Sequence, residues 1–194
     1  MAYFPMMVDI GNKEVLIIGG GSTASRKAEL MLDFGAKVTV ISKEFLCPFP
    51  KETKLVEKSF SSEDITKADS LPFLVIAATD DSSVNESVAE LCRGLRIPVN
   101  VVDEEPLCSF IFPAVLRDKD VVVSVSSGGK SPLVTQYVKR KAAEALPKGI
   151  GDINEAMGRL RSEIRDKVPS QRERRAIYKE ELSRLLKEAE NDME

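Results

Sequence analysis

The residues best suited to chemistry fall in three short stretches. The first is Glu14–Lys27, EVLIIGGGSTASRK. Here Gly19, Gly21 and Ala24 follow a β-branched apolar run at the spacing G-x-G-x-x-G/A. Gly19 permits a tight turn, Gly21 lets backbone approach a pyrophosphate, and small Ala24 lets a helix sit close to the strand before it. The N–H groups at that helix start then face phosphates. The second stretch is Asp103, directly after the apolar VNVV. The third is Ser124–Ser131, SVSSGGKS, between a strand pattern and a helix pattern.

The chain has no histidine, which removes a histidine general base, a Ser–His–Asp triad and histidine-ligated metals together. Acid–base work falls to Asp, Glu, Lys, Tyr or Cys. Asp103 is the best general-base candidate, since partial burial at the carboxyl end of a sheet strand would raise its pKa; the plainer reading is a turn residue opening the DEEP loop. Ser124–Ser131 nearly spells a P-loop, but it begins with Ser124 where that motif has Gly. A glycine- and serine-rich anion pocket fits better, with Ser131 as helix cap, Pro132 at the first helical position, Gly128 in the turn and Lys130 adding charge. Such a pocket suits a carboxylate-bearing ligand. Tyr137 and Lys141 match the Y-x-x-x-K pair of short-chain dehydrogenases, but the glycine spacing differs, so a core tyrosine and a surface lysine are expected.

The elements that would position these residues alternate strand and helix. Val15–Ile18, Lys37–Ile41, Leu55–Phe60, Phe73–Ala78, Pro98–Val102 and Asp120–Val125 read as strands. Helices are expected after the glycines as far as Gly35, over Ser62–Ser70 and Asn85–Leu95, and over Pro132–Leu146. Tyr3–Ile10 reads as an extended segment turning at Gly11–Asn12. Ligands in parallel sheets lie beyond the strand carboxyl ends, so Thr79, after the fourth strand, belongs at the cofactor cleft. The second strand ends Ser42–Lys43–Glu44. An acid there holds the ribose hydroxyl of NAD, whereas Ser42 and Lys43 suit a 2′-phosphate, so the residues leave NAD and NADP both open.

The totals describe a globular α/β chain: 43% hydrophobic, 30% charged, with a formal net charge of −3. That charge argues against general nucleic-acid binding. No apolar run is long enough to span a bilayer, and the N-terminus has no secretion pattern, so a cytoplasmic, non-membrane protein is expected. Cys47, Cys92 and Cys108 are odd in number and widely spaced, reading as reduced thiols with no metal site. After Pro147 the tail is helical and charge-laced, divided at Pro169.

Three segments taken together, FPMMVDIGNKEVLIIGGGSTASRKAELML, LVIAATDDSSVNESVAE and PVNVVDEEPLCSFIFPAVLRDKDVVVSVSSGGKSPLV, resemble the precorrin-2 dehydrogenase / sirohydrochlorin ferrochelatase family, the N-terminal module of siroheme synthase. The resemblance covers about Phe4 to Leu146. It implies a Rossmann-like NAD-binding domain over 1–113, a dimerisation segment over 114–147 and a small C-terminal helical domain over 148–194. It implies oxidation of precorrin-2 to sirohydrochlorin with NAD in siroheme or related tetrapyrrole synthesis, by a homodimer, with ferrous iron insertion following in some members. The family's catalytic aspartate matches Asp103, and the serine near its tetrapyrrole site matches Ser127. Its NAD contacts match Ser22 and Thr23, and Lys43 and Glu44, which favours NAD. Arg117, Lys119 and Lys130 suit a carboxylate-rich substrate. The tail from Lys148 matches only in general character, and without a methyltransferase domain the trifunctional enzyme is not expected. A non-catalytic NAD(P)-binding sensor is the other reading.

Overall fold

Five apolar runs form one parallel sheet: β1 (Glu14–Ile18), β2 (Lys37–Ser42), β3 (Lys54–Glu57), β4 (Leu74–Ala77) and β5 (Val99–Val101), in the order β3-β2-β1-β4-β5. Strands β1, β2, β4 and β5 are covered on both faces, hence their runs of Val, Ile and Leu, whereas the edge strand β3 is largely exposed. In the computed structural model, which describes residues 3–68 and 70–191, this sheet belongs to a unit running to Phe112, and a second unit begins at Pro113.

On one face of the sheet, Val15, Ile17, Val38, Val40 and Ile76 bury against Ala24, Ala28 and Met31 of α1 (Ser22–Asp33). Opposite, Leu16, Ile18, Val75 and Ala77 meet Ile65 of α2 (Glu63–Thr66) and Val88, Ala89 and Cys92 of α3 (Ser82–Leu95). Each fully buried aliphatic side chain stabilises by roughly 1.5–3 kcal/mol. Ala24 and Ala28 are wholly buried, which lets α1 approach the sheet closely.

The ends of α1 and α3 follow from their residues. α1 stops in a two-bond cap, Gly35 N to Leu32 O at 2.8 Å and Ala36 N to Met31 O at 3.1 Å, with Gly35 at φ +79°. α3 starts at Ser82, earlier than the expected Asn85, because the Asp81 carboxylate accepts from Ser83 N and Val84 N. α2 is shorter than Ser62–Ser70, since Ile65 is its sole buried residue; Asp69 of that expected helix lies outside the described residues. Tyr3–Ile10 makes no strand, and its chain turns at Gly11–Asn12.

In the second unit, β6 (Ala114–Asp118) and β7 (Val121–Val125) pair as an antiparallel hairpin, joined to α4 (Pro132–Ala145) and two tail helices, α5 (Ile150–Arg165) and α6 (Gln171–Asn191). The strand β6 is absent from the expected set. The tail breaks around Pro169, as its sequence requires. Lys119, at φ +53° in the hairpin turn, pairs with Asp152 at 2.7 Å and Glu155 at 2.9 Å on α5. Asp118 accepts from Gly151 N at 2.8 Å, tying the same turn to the start of that helix. None of the described helices is long and apolar enough to cross a membrane.

Candidate cofactor and active site

The turn between β1 and α1 is built by close approach. A Cβ on Gly19, at φ +127°, would lie 2.2 Å from Ala78 O and 3.2 Å from Thr79 N. One on Gly20 would lie 1.9 Å from Glu44 O and 2.6 Å from Ser42 Oγ. Gly19 N donates to Ile41 O and Leu46 N to Gly20 O, both at 2.9 Å. The glycines therefore draw the carboxyl ends of β2 and β4 onto the start of α1, bringing Gly19, Gly21, Ser22, Thr23, Ser42, Lys43, Glu44 and Thr79 to one edge of the sheet. Gly20, which the G-x-G-x-x-G/A pattern leaves unspecified, is as tightly required as Gly19; the unbroken triplet was its signal.

Gly21 differs. A Cβ there meets nothing within 4 Å, and as the residue capping α1 it has no side chain to bond the helix. The first N–H groups of α1 thus have no side-chain acceptor among the described residues. Open space beside unpaired amides at a helix N-terminus fits a dinucleotide's pyrophosphate. The flanking side chains are partly committed: the Thr23 hydroxyl accepts from Arg26 at 3.2 Å, and Ser42 donates to Glu44 O at 2.6 Å, closing the turn after β2.

Past β4, the buried amide of Asn85 holds Thr79 from three directions. Its Nδ2 donates to Thr79 O at 3.0 Å, and its Oδ1 accepts from the Thr79 hydroxyl at 2.8 Å and N–H at 3.3 Å. Asn85 is a support residue that a helix pattern alone does not distinguish. Hydrogen bonds from the Ser83 hydroxyl and the Val84 and Ser83 N–H groups, helped weakly by Lys43, hold the Asp81 carboxyl below the usual range.

Asp103 lies two residues beyond β5, on the same carboxyl edge, one strand from Thr79. Its φ is +61°, an uncommon backbone for a non-glycine residue and of the kind held at functional sites. It is exposed, so the expected partial burial is not met: the turn carries it past the sheet's cover. On the flank of α1, Lys27 Nζ sits 3.8 Å over the Phe112 ring. Burial, and secondarily Arg26, push this amine down to about 8.

In the second unit, Ser127 Oγ donates to Ser131 O and accepts from Ser131 N and the Thr135 hydroxyl, each at 3.0 Å. Gly128 N donates to Ser126 Oγ at 3.0 Å, and the Ser131 hydroxyl caps α4 by accepting from Val134 N at 3.3 Å. Gly128 and Gly129, at φ +64° and +81°, make the turn. Several polar groups of this loop bond one another, and the exposed ammonium of Lys130 makes no ion pair among the described residues. Tyr137 is 55% exposed, against the expected core position, and Lys141 pairs with Glu144.

A family model described as "Putative NAD(P)-binding" matches residues 6–114. The chain belongs to this family. A nicotinamide dinucleotide is thereby the cofactor class, in agreement with the open turn at Gly21. The siroheme synthase of Neisseria meningitidis serogroup C is 35% identical over 188 residues, 94% of this chain and 38% of that protein. That of Ruthia magnifica subsp. Calyptogena magnifica is 33% identical over 193 residues, 97% and 40% respectively. The chain thus spans about two fifths of these curated relatives, and its resemblance to the siroheme-synthase module holds. A solved structure titled "SirC, precorrin-2 dehydrogenase" superposes with a TM-score of 0.72 at 19% identity, covering 97% of this chain and all of that one, and so shares the fold.

Proposed function

We propose that this chain is an NAD-dependent dehydrogenase that oxidises precorrin-2 to sirohydrochlorin. The observation that carries the reading is one sheet edge holding both an open, uncapped glycine turn and, two strands away, an aspartate at positive φ. Dehydrogenation removes a hydride and a proton. The bound nicotinamide supplies the hydride acceptor, and Asp103 accepts the proton. Gly19, Gly21, Ser22 and Thr23 would hold the pyrophosphate side, Ser42, Lys43 and Glu44 the adenosine ribose, and Thr79 the cleft wall. Glu44, an acid suited to a ribose 2′-hydroxyl, supports NAD over NADP. The carboxylate-rich tetrapyrrole would be met by Ser127, Gly128 and Lys130. Ferrous iron, where it is inserted, enters as substrate on the ring nitrogens, with Asp103 taking the displaced protons.

The dimer reading is supported by α4, whose Leu133, Val134, Tyr137 and Val138 are exposed, Leu133 by 77%. An apolar helix face of this kind suits burial against a second copy. Sedimentation is expected to give twice the chain mass, and a monomer at micromolar concentration would overturn it.

The test of function is anaerobic turnover of precorrin-2 with NAD, following NADH and the sirohydrochlorin spectrum before and after ferrous iron is added. Asp103→Asn isolates the charge, because Asn also tolerates positive φ. Its kcat is expected to fall at least about 100-fold with NAD affinity within about twofold. NADH at the wild-type rate would remove Asp103 from the role. No NADH from the wild type, with NADP also tried, would favour a non-catalytic NAD(P)-binding module.

A further inference from the structure

The edge of β5 is finished by side chains instead of another strand. Val99 N donates to Ser109 Oγ at 2.8 Å, and Ser109 N returns to Val99 O at 2.9 Å. Two residues on, Val101 N donates to Cys108 Sγ at 3.2 Å. The thiol proton has two carbonyl acceptors, Val101 O at 3.2 Å and Glu104 O at 3.5 Å. The buried Asn100 side chain donates to Phe110 O at 3.1 Å and to the same sulfur at 3.5 Å, fixing the Cys108–Phe110 segment from below.

Val101 and Glu104 are the first and last residues of the turn that contains Asp103. The turn's own bond, Glu104 N to Val101 O, is long at 3.4 Å. Asp103 meanwhile holds φ +61°, an uncommon conformation that its surroundings help to hold. The Cys108 sulfur is the group that touches both ends of that turn. Burial, the largest influence, raises its pKa, so the thiol keeps the proton it donates.

We propose that Cys108 is a positioning residue for Asp103: its sulfur spans Val101 and Glu104, and so sets where the Asp103 carboxylate lies. The inference rests on Asp103 being the proton acceptor of the dehydrogenation proposed above. It separates Cys108 from Cys92, which is buried among apolar side chains of α3 and the sheet.

The experiment compares wild type, Cys108→Ala, Cys108→Ser, Asp103→Asn and the Asp103→Asn/Cys108→Ala double variant in the full chain. For Cys108→Ala, kcat is expected to fall about 10-fold while KM for NAD and precorrin-2 stays within about twofold, because misplacing a reacting group costs rate more than binding. Cys108→Ser keeps a donor and acceptor and is expected to restore most of kcat. In the double variant, loss of Cys108 should cost nothing beyond Asp103→Asn. If Cys108→Ala is not recovered folded, Cys108→Val, similar in volume but without hydrogen bonds, takes its place. A wild-type kcat in Cys108→Ala, a loss confined to melting temperature, or no rescue by serine would overturn the proposal. Wild-type turnover by Asp103→Asn would instead overturn the reading of Asp103, a separately visible result.

Discussion

Two glycine turns in this chain lead from a strand into a helix, and they treat the helix start in opposite ways. Between β1 and α1 the turn is packed underneath, with Gly19 and Gly20 against backbone carbonyls, and open on top at Gly21. Between β7 and α4 the turn has open space around Gly128, but its polar groups are closed by Ser126, Ser127, Ser131 and Thr135. A helix whose first amides lack a side-chain cap leaves them open to water or a ligand; one capped by its own serine has already satisfied one of those donors. The two sequences, GGGSTA and SSGGKSP, look alike as glycine–serine runs. Only the geometry tells an uncapped helix start, the one proposed to take the dinucleotide, from a loop whose serines bond one another beside the exposed Lys130.

The largest test of this contrast is alanine at the glycines. Gly20→Ala forces a methyl to within 1.9 Å of Glu44 O and is expected to destabilise by about 3 kcal/mol. Gly128→Ala, with nothing within 4 Å but φ +64°, is expected to cost about 1 kcal/mol. Urea denaturation of both would break the comparison if the losses were equal. Next comes Gly21→Ala, whose methyl meets no protein atom. Stability should change by less than about 0.5 kcal/mol, while calorimetric titration should show NAD affinity reduced at least about 10-fold. Retained affinity would mean that the open space is not the pyrophosphate site. The smallest effect is at the caps. Ser131→Ala removes the acceptor of Val134 N and is expected to cost about 1 kcal/mol. Ser22→Ala, with no cap bond to lose, should melt with the wild type.

Much of the sheet was legible because buried parallel strands are written as uninterrupted β-branched runs, and because Gly35 and Pro169 stop helices by their own backbone chemistry. The strand β6 was not, for a definite reason. LCSFIFPAVL reads as one apolar stretch, and the hairpin turn at Lys119–Asp120 has none of the Asn-Gly or Gly-X signals that mark such turns. Its αL residue is a lysine held by Asp152 and Glu155 more than thirty positions away, which no local pattern reveals. In the proposed site, the glycine spacing and the aspartate after VNVV come directly from the sequence. Asn85 and Cys108 do not, since each matters through a contact outside its own element, with a threonine six residues upstream and with a turn four to seven residues upstream. Gly20 was marked by the unbroken triplet but not by the carbonyl just past β2 that it meets.

The finished edge of β5 has a consequence for how the chain meets others like it. A parallel sheet ends in two rows of backbone groups, each a template on which a foreign strand can grow. At β5 the N–H groups of Val99 and Val101 are already taken by Ser109 and Cys108. At β3 the strand is four residues long and carries Lys54 and Glu57, charges that discourage stacking. Neither border invites runaway edge-to-edge polymerisation, so a crowded solution of this protein should stay clear where a bare five-stranded sheet would cloud.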